Sequence, residues 1–202
     1  GTISTTLLFS MSLLLVDRET LSSGGELVTL TLNRPKAMNA LSAPLIEALV
    51  SAIDGESQSQ CPKGRVLMIQ GAGRCFSAGV DLTAASSVFS IDGNEEGEVF
   101  PRRYDVPSAL QVCPWPVIAL VHGACFTGAL ELALNCDTML VASDVKLGDT
   151  HTAVGVAPSW GLSQLLQRQI GVQRALEMSL GAVPINAERA EKWGLCNRVC
   201  ED

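Results

Sequence analysis

The sequence has few histidines, few basic residues and no long apolar run. Only two of its 202 residues are His, and no two of its seven Cys have the CxxC spacing, so a structural zinc site is not expected. The 14 Lys and Arg are outnumbered by 21 Asp and Glu, which gives a net charge of −7 and argues against a nucleic-acid-binding module. No stretch of about 18 uncharged apolar residues is present, so no membrane-spanning helix is expected.

Several familiar catalytic and nucleotide-binding motifs are also missing. The chain has neither GxGxxG nor GxxxxGK[ST], so a phosphate-cradling loop lacks its usual signal. No GxSxG elbow exists, since the residues around Ser77 read Cys-Phe-Ser-Ala-Gly. With two His, little room is left for a metal site, and none is predicted. The odd number and irregular spacing of the cysteines favour buried thiols in a reducing compartment over disulfides.

The length and the apolar content indicate one folded domain. A chain of 202 residues with 47% hydrophobic residues is long enough to bury a core and too apolar to be disordered. We find no internal repeat, low-complexity run or linker. We therefore predict an N-terminal tail over residues 1–12 and a single core domain over residues 13–202.

Hydrophobic periodicity predicts strands that alternate with helices. The predicted strands are Leu13–Val16, Glu26–Leu32, Arg65–Gln70, Val117–Val121 and Thr138–Ala142. The predicted helices start after Ser42 and end near Gly55, run from Thr127 to about Cys136, and cover Gly161–Ile170, Gln173–Leu180 and Asn186–Trp193. This alternation is typical of βαβ units and an α/β sheet. Residues 84–105 show no period and are predicted to form a mobile surface loop or a partial helix.

Two loops rich in small residues follow two of the predicted strands. They cover residues 71–82 and 122–132. Small residues let a ligand approach the backbone, and a helix N-terminus offers free N–H groups that suit a developing oxyanion. Glu131 lies about one turn into the second helix among apolar residues, where a carboxylate can move a proton. The alternative is that the loops are ordinary turns and Glu131 only complements the helix dipole.

The motifs along nearly the whole chain resemble the enoyl-CoA hydratase/isomerase (crotonase) superfamily. The similarity is greatest to a branch of monofunctional enoyl-CoA hydratase-like proteins that includes plant peroxisomal members. The segments that carry the superfamily resemblance are Leu32–Leu41, Cys75–Leu82, Pro116–Gly123, Gly128–Asp137 and Gly148–Leu162. Those that are most similar to the branch are Asp81–Ala85, Asp149–His151 and Pro158–Ser163.

This resemblance implies an α/β fold, a crotonase-like spiral of ββα units that holds an acyl-CoA thioester. It places the thioester oxygen on the backbone N–H groups of Ala78 and Gly128, with Glu131 as the acid/base. The substrate-binding residues that it implies are Lys36, Ala37, Met38, Gly79, Val80 and Asp81. No cofactor is expected beyond the coenzyme A of the substrate. A homo-trimer or hexamer is implied, with the peroxisome as the suspected location and the mitochondrion or cytoplasm as alternatives.

One position departs from the family pattern. Hydratases of the family usually carry a second Glu about twenty residues after the first, and here that position is His151. A histidine can act as a base near neutral pH, and Asp149 can supply the missing carboxylate if the loop shifts. The alternatives are a loop histidine bonded to a backbone group for His151 and a turn or cap residue for Asp149.

Three functional hypotheses follow from this pattern. The first is hydration of a trans-2-enoyl-CoA to 3-hydroxyacyl-CoA in fatty-acid β-oxidation. The second is a Δ3,Δ2-enoyl-CoA isomerase, which needs one carboxylate. The third is a non-catalytic protein, because family members continue past the point where this chain stops. On that basis we expect the fold to be truncated before the C-terminal helical cap, with apolar surface left open.

Overall fold

The structure is a computed structural model that describes residues 12–81 and 102–201. Nine strands lie in these ranges: β1 Leu14–Thr20, β2 Glu26–Leu32, β3 Arg65–Gly71, β4 Val117–Val121, β5 Ala124–Phe126, β6 Thr138–Ala142, β7 Lys146–Gly148, β8 Ile185–Asn186 and β9 Arg198–Cys200. They alternate with six α-helices: α1 Ala43–Gln58, α2 Val106–Val112, α3 Gly128–Leu134, α4 Leu162–Ile170, α5 Val172–Gly181 and α6 Ala187–Trp193. No helix in the described ranges is long and apolar enough to cross a membrane.

The larger sheet has six strands in the order β1-β2-β3-β4-β6-β9. Only the β1–β2 pair is antiparallel, and the other four pairs are parallel. The helices therefore act as the crossover connections that parallel strands need. The predicted α/β architecture with its parallel sheet is confirmed.

A smaller sheet has the order β5-β7-β8. Strand β5 pairs parallel with β7, and β8 pairs antiparallel with the other edge of β7. These strands have only two or three residues each, which is too short to show an alternating pattern in the sequence. None of the three strands is therefore predicted from the sequence.

The core forms where helix α1 covers the large sheet. Along α1 the fully buried apolar side chains recur at helical spacing, at Leu45, Ile46, Leu49 and Ile53, so one face of the helix packs inwards. Every second residue of β2, from Val28 to Leu32, is completely buried, as expected of a strand with one face on a core.

Several strands have the predicted first and last residues, whereas other elements begin or end at different residues. The strands Glu26–Leu32, Val117–Val121 and Thr138–Ala142 have the predicted bounds. Helix α1 does not end near Gly55 but continues to Gln58. Residues 1–11 and 82–101 lie outside the described ranges, so the predicted tail and most of the predicted 84–105 loop are not tested, and the division at residue 12 stays a prediction.

Candidate active site

The two loops predicted to meet do lie together, because β3 and β4 are parallel neighbours. Their carboxyl ends open at the same edge of the sheet, where ligands bind in open α/β sheets. The Phe76 N–H donates to the His122 carbonyl at 2.8 Å, and the Ser77 N–H donates to the Ala124 carbonyl at 3.1 Å. These bonds fix the loop after β3 against the loop after β4.

The small sheet brings a third segment to this edge. Phe126 at the end of β5 lies opposite Gly148 at the end of β7, and the Thr127 N–H donates to the Gly148 carbonyl at 2.9 Å. Glu131 follows β5 by one helical turn, and the Asp149–His151 segment follows β7 directly. Parallel pairing of two three-residue strands thus places residues 131 and 149–151 beside each other.

Glu131 is buried, with only 1% of its surface exposed. Its Oε1 atom accepts hydrogen bonds from the backbone N–H groups of Trp160 at 2.7 Å and Leu162 at 3.2 Å. Leu162 is the first residue of α4, so the carboxylate lies at that helix's N-terminus, where a negative charge is stabilised. One carboxylate oxygen is therefore fixed in place.

His151 lies between two carboxylates. Its Nδ1 atom is 2.7 Å from Asp149 Oδ1, and its Nε2 atom is 3.5 Å from Glu131 Oε2. Burial alone would lower the pKa of the imidazole, but the hydrogen bonds and charges of Asp149 and Glu131 outweigh burial and raise the pKa of His151 to about 9. The imidazole is therefore protonated at neutral pH.

Asp149 lies behind the imidazole. Its Oδ1 atom also accepts the His151 backbone N–H at 3.2 Å, which closes a local Asx-type turn. Burial raises the pKa of Asp149, but hydrogen bonds from His151 and from the Ser179 hydroxyl outweigh it, and the net pKa is lowered. Asp149 thus remains ionised and orients the imidazole.

These contacts describe the position where the chain departs from the family pattern. A neutral His151 acting as a base does not fit a protonated imidazole held between two carboxylates. The Asp149 oxygen is bonded to His151 on the ring nitrogen away from Glu131, so Asp149 could supply a second catalytic carboxylate only after the loop shift that the prediction requires. The alternative for His151, a ring bonded to a backbone group, is also not what the structure shows.

The two predicted oxyanion donors differ in their partners. Gly128 is the first residue of α3, a position whose N–H has no acceptor within its helix. The Ala78 N–H donates to the Met38 carbonyl at 2.9 Å. The segment predicted to bind coenzyme A therefore lies against the predicted oxyanion loop, and a thioester oxygen would have to replace the Met38 carbonyl at Ala78.

Three of the remaining predicted substrate-binding residues, Gly79, Val80 and Asp81, are closely packed against or bonded to neighbouring segments. A Cβ atom on Gly79, whose φ is +97°, would lie 2.0 Å from Thr127 Oγ1, and one on Gly128 would lie 2.9 Å from Val80 Cγ2. Asp81 forms an ion pair with Arg34 at 3.0 Å, which ties the loop after β3 to the turn after β2. Lys36 and Ala37 of that turn are exposed.

Asn39 is a structural residue of the site to which the sequence analysis gave no role. It is completely buried. Its side-chain oxygen accepts the Arg34 N–H at 2.9 Å, and its side-chain nitrogen donates to the carbonyls of Ala72 and Cys75 at 2.8 Å each. A polar residue inside the Ala-Met-Asn-Ala-Leu run was the signal available.

The cysteines and His122 take no part in this cluster. All seven cysteines are free; three of them are buried and four are half-buried, so the expectation of buried thiols is only partly met. Burial raises the pKa of the Cys75 and Cys125 thiols, which disfavours the thiolate that a nucleophile needs. His122 Nε2 lies 2.9 Å from the Gly73 carbonyl, so this ring joins the start of the loop after β4 to the loop after β3.

The fold and the sequence both match known proteins. Residues 23–202 match the enoyl-CoA hydratase/isomerase family. The chain is 38% identical over 180 residues to the probable enoyl-CoA hydratase 1, peroxisomal, of Arabidopsis thaliana. The aligned region covers 89% of this chain and 64% of that protein. It is 30% identical to the trans-2-decenoyl-[acyl-carrier-protein] isomerase of Streptococcus mutans, over 86% of this chain and 65% of that protein.

Among solved structures, an enoyl-CoA hydratase/carnithine racemase from Magnetospirillum magneticum superposes with a TM-score of 0.78 at 32% identity, over 96% of this chain and 70% of that one. The architecture is thus that of a crotonase-fold α/β protein. The chain belongs to the enoyl-CoA hydratase/isomerase family. It spans 64% and 65% of the length of the two curated relatives named above.

Proposed function

We propose that this protein adds water to the double bond of a trans-2-enoyl-CoA and forms 3-hydroxyacyl-CoA. The observation that carries this proposal is the buried Glu131 carboxylate, which has one oxygen fixed by two backbone N–H groups and the other facing His151. A carboxylate held in this way is positioned to take a proton from water. The hydratase names of many relatives support the same assignment.

The backbone supplies the stabilisation of negative charge in this proposal. Addition of water at the β carbon moves charge onto the thioester oxygen, and the N–H groups of Gly128 and Ala78 are assigned to hold that oxygen. Preorganised donors of this kind are worth about 3–4 kcal/mol each in other enzymes. The Gly128 donor belongs to the first turn of α3, so the helix dipole adds to its effect.

The role of Glu131 can be tested by hydration of crotonyl-CoA, followed at the absorbance of the conjugated enoyl thioester. We expect Glu131→Gln to lower the rate by about 100-fold or more, because the amide is isosteric but cannot accept the proton. Glu47→Gln is the matched control, since Glu47 is an exposed carboxylate on α1. A Glu131→Gln variant with the wild-type rate would contradict the proposal.

A Δ3,Δ2-enoyl-CoA isomerase is the second candidate. Glu131 is a single carboxylate with one oxygen left for chemistry, and moving a double bond needs only one base that removes a proton and returns it elsewhere. The isomerase name of the Streptococcus mutans relative favours the same reading. Isomerisation of a 3-enoyl-CoA by the wild type, measured beside hydration, separates the two activities.

The proposal also covers the metabolic role, the oligomeric state, the cofactor and the compartment of the protein. We assign a role in fatty-acid β-oxidation, a homo-trimer or hexamer as the assembly, and no cofactor beyond the coenzyme A of the substrate. The peroxisomal label of the Arabidopsis thaliana relative favours that compartment. Size-exclusion chromatography with and without an acyl-CoA distinguishes a defined oligomer stabilised by ligand from a non-catalytic truncated protein that aggregates.

A further inference from the structure

The Glu131–His151 pair contains two reactive atoms that face each other. Glu131 Oε1 is occupied by two backbone N–H groups, and His151 Nδ1 is occupied by Asp149. This leaves Oε2 of Glu131 and Nε2 of His151, which lie 3.5 Å apart, as the atoms that can exchange protons with a ligand. Oε2 of Glu131 is a base, and Nε2 of His151 carries the proton of an acid.

We propose that His151 is the general acid of hydration, which donates its Nε2 proton to the α carbon of the substrate and regains a proton directly from Glu131. This inference rests on the proposed hydratase function. It assigns opposite roles to the two side chains: Glu131 is the base for water, and His151 is the acid for carbon. Asp149 is a positioning residue that acts through His151.

The proton balance closes within the pair. Glu131 removes a proton from water while the water oxygen bonds to the β carbon and the double-bond electrons move towards the thioester oxygen. His151 Nε2 then gives its proton to the α carbon, and the thioester carbonyl re-forms. Glu131 now carries one proton and His151 is neutral, so transfer from Oε2 to Nε2 restores the starting state, and the net change is the addition of one water.

The structure supports this return step in two ways. The 3.5 Å gap has to close by only about half an ångström to reach hydrogen-bonding distance, and catalytic contacts commonly tighten when the substrate binds. The pair is also shielded from water, since Glu131 is 1% and His151 5% exposed. Proton exchange between the two groups therefore does not need bulk solvent.

Few charged groups set the protonation state of the imidazole. Within the described residues, those that contact it are Glu131 from α3 and Asp149 from its own loop, and Ser179 of α5 bonds to Asp149. Both contacts are negative and favour the imidazolium. Removing the Asp149 charge should therefore lower the pH at which the imidazolium loses its proton, so the acid form is present over a narrower pH range.

The first experiment is nitrogen NMR of the histidine rings in the full 202-residue chain. Only two imidazoles are present, and His122→Gln identifies the signal that belongs to His151. We expect both ring nitrogens of His151 to show the shifts of a protonated imidazolium at neutral pH, and Asp149→Asn to move their titration to lower pH. A neutral His151 ring at neutral pH would overturn the inference.

The second experiment compares two reactions in His151→Gln. Hydration should fall by about 100-fold or more because the acid is lost, whereas isomerisation of a 3-enoyl-CoA by Glu131 should persist if the wild type catalyses it. Hydration retained in His151→Gln would overturn the acid role, and so would loss of both reactions in a variant that folds. A wild type that hydrates no enoyl-CoA would instead refute the proposed function itself.

The pH dependence of hydration distinguishes a role of Asp149 in setting the protonation of His151 from a role in packing alone. Asp149→Asn should move the alkaline limb of kcat/KM for hydration to lower pH, an effect that a merely structural role would not produce. Asp144→Asn is the matched control, because Asp144 is an exposed acid that precedes β7, whereas Asp149 follows it. An unchanged alkaline limb in Asp149→Asn would contradict its positioning role.

Discussion

Raising the pH should destabilise the folded protein through His151. The pKa of this side chain is about 9 in the folded state, against an ordinary value of 6.5. Because the folded state holds the proton more tightly, the stabilisation is complete below about pH 6.5, declines above it and is lost once the pH exceeds about 9. The side chain is only 7% exposed, so solvent does not screen the effect strongly.

The size of this effect follows from the difference between the two pKa values. Each pKa unit corresponds to about 1.4 kcal/mol, so the contribution of His151 to the free energy of unfolding amounts to about 3 kcal/mol at acid to neutral pH. This is a large part of the stability of an ordinary domain, which is about 5–15 kcal/mol. The change should be measurable without any ligand.

The assay is urea unfolding from about pH 6 to about pH 10, followed by tryptophan fluorescence; one of the three tryptophans is Trp160, whose backbone N–H donates to Glu131. The buried cysteines also have raised pKa values, so their contribution to the free energy of unfolding falls as the pH rises as well. The His151→Gln variant keeps these cysteines and therefore serves as the baseline. We expect the stability difference between wild type and His151→Gln to shrink by about 3 kcal/mol across this range. A difference that stays constant would refute the protonated state assigned to His151, and His122→Gln should behave as the wild type does.

Two glycine substitutions should have opposite effects on stability. Gly79→Ala would place a Cβ 2.0 Å from Thr127 Oγ1 at a φ of +97°, and we expect a loss of about 3 kcal/mol or more in urea unfolding. Gly55→Ala, inside α1 with no atom within 4 Å of the new Cβ, should raise the free energy of unfolding by about 0.5–1 kcal/mol. A tolerated Gly79→Ala or a strongly destabilising Gly55→Ala would show that the packing described for these positions is wrong.

The sequence predicted the elements whose apolar residues alternate over several positions. Strand β2 was predicted because Val28, Leu30 and Leu32 all face the core. Strand β1 runs from Leu14 to Thr20 and is longer than predicted, because its second half is an exposed, charged edge whose extent is set by pairing with β2. Tertiary pairing of this kind leaves no periodic signal in the strand itself.

For the candidate site, the sequence predicted which residues lie close together and left their individual contacts open. Glu131, Asp149 and His151 were selected from motif resemblance, and the structure does place them together. The order of contacts depends on the Asx-type turn at Asp149, which puts one ring nitrogen of His151 on that carboxylate and the other towards Glu131. A spacing of two residues fits many geometries, so the sequence left the roles of base, acid and orienting group open.

In the complex that we propose, the thioester oxygen lies between two backbone donors beside the Glu131–His151 pair. A crystal structure of the chain with a non-hydrating acyl-CoA analogue tests it most directly. We predict that the thioester oxygen lies about 3 Å from the N–H groups of Ala78 and Gly128, that Ala78 has released the Met38 carbonyl, and that the β carbon faces Glu131 Oε2 and His151 Nε2. A bound analogue that leaves the Ala78–Met38 bond intact, with its thioester away from Glu131, would contradict the account.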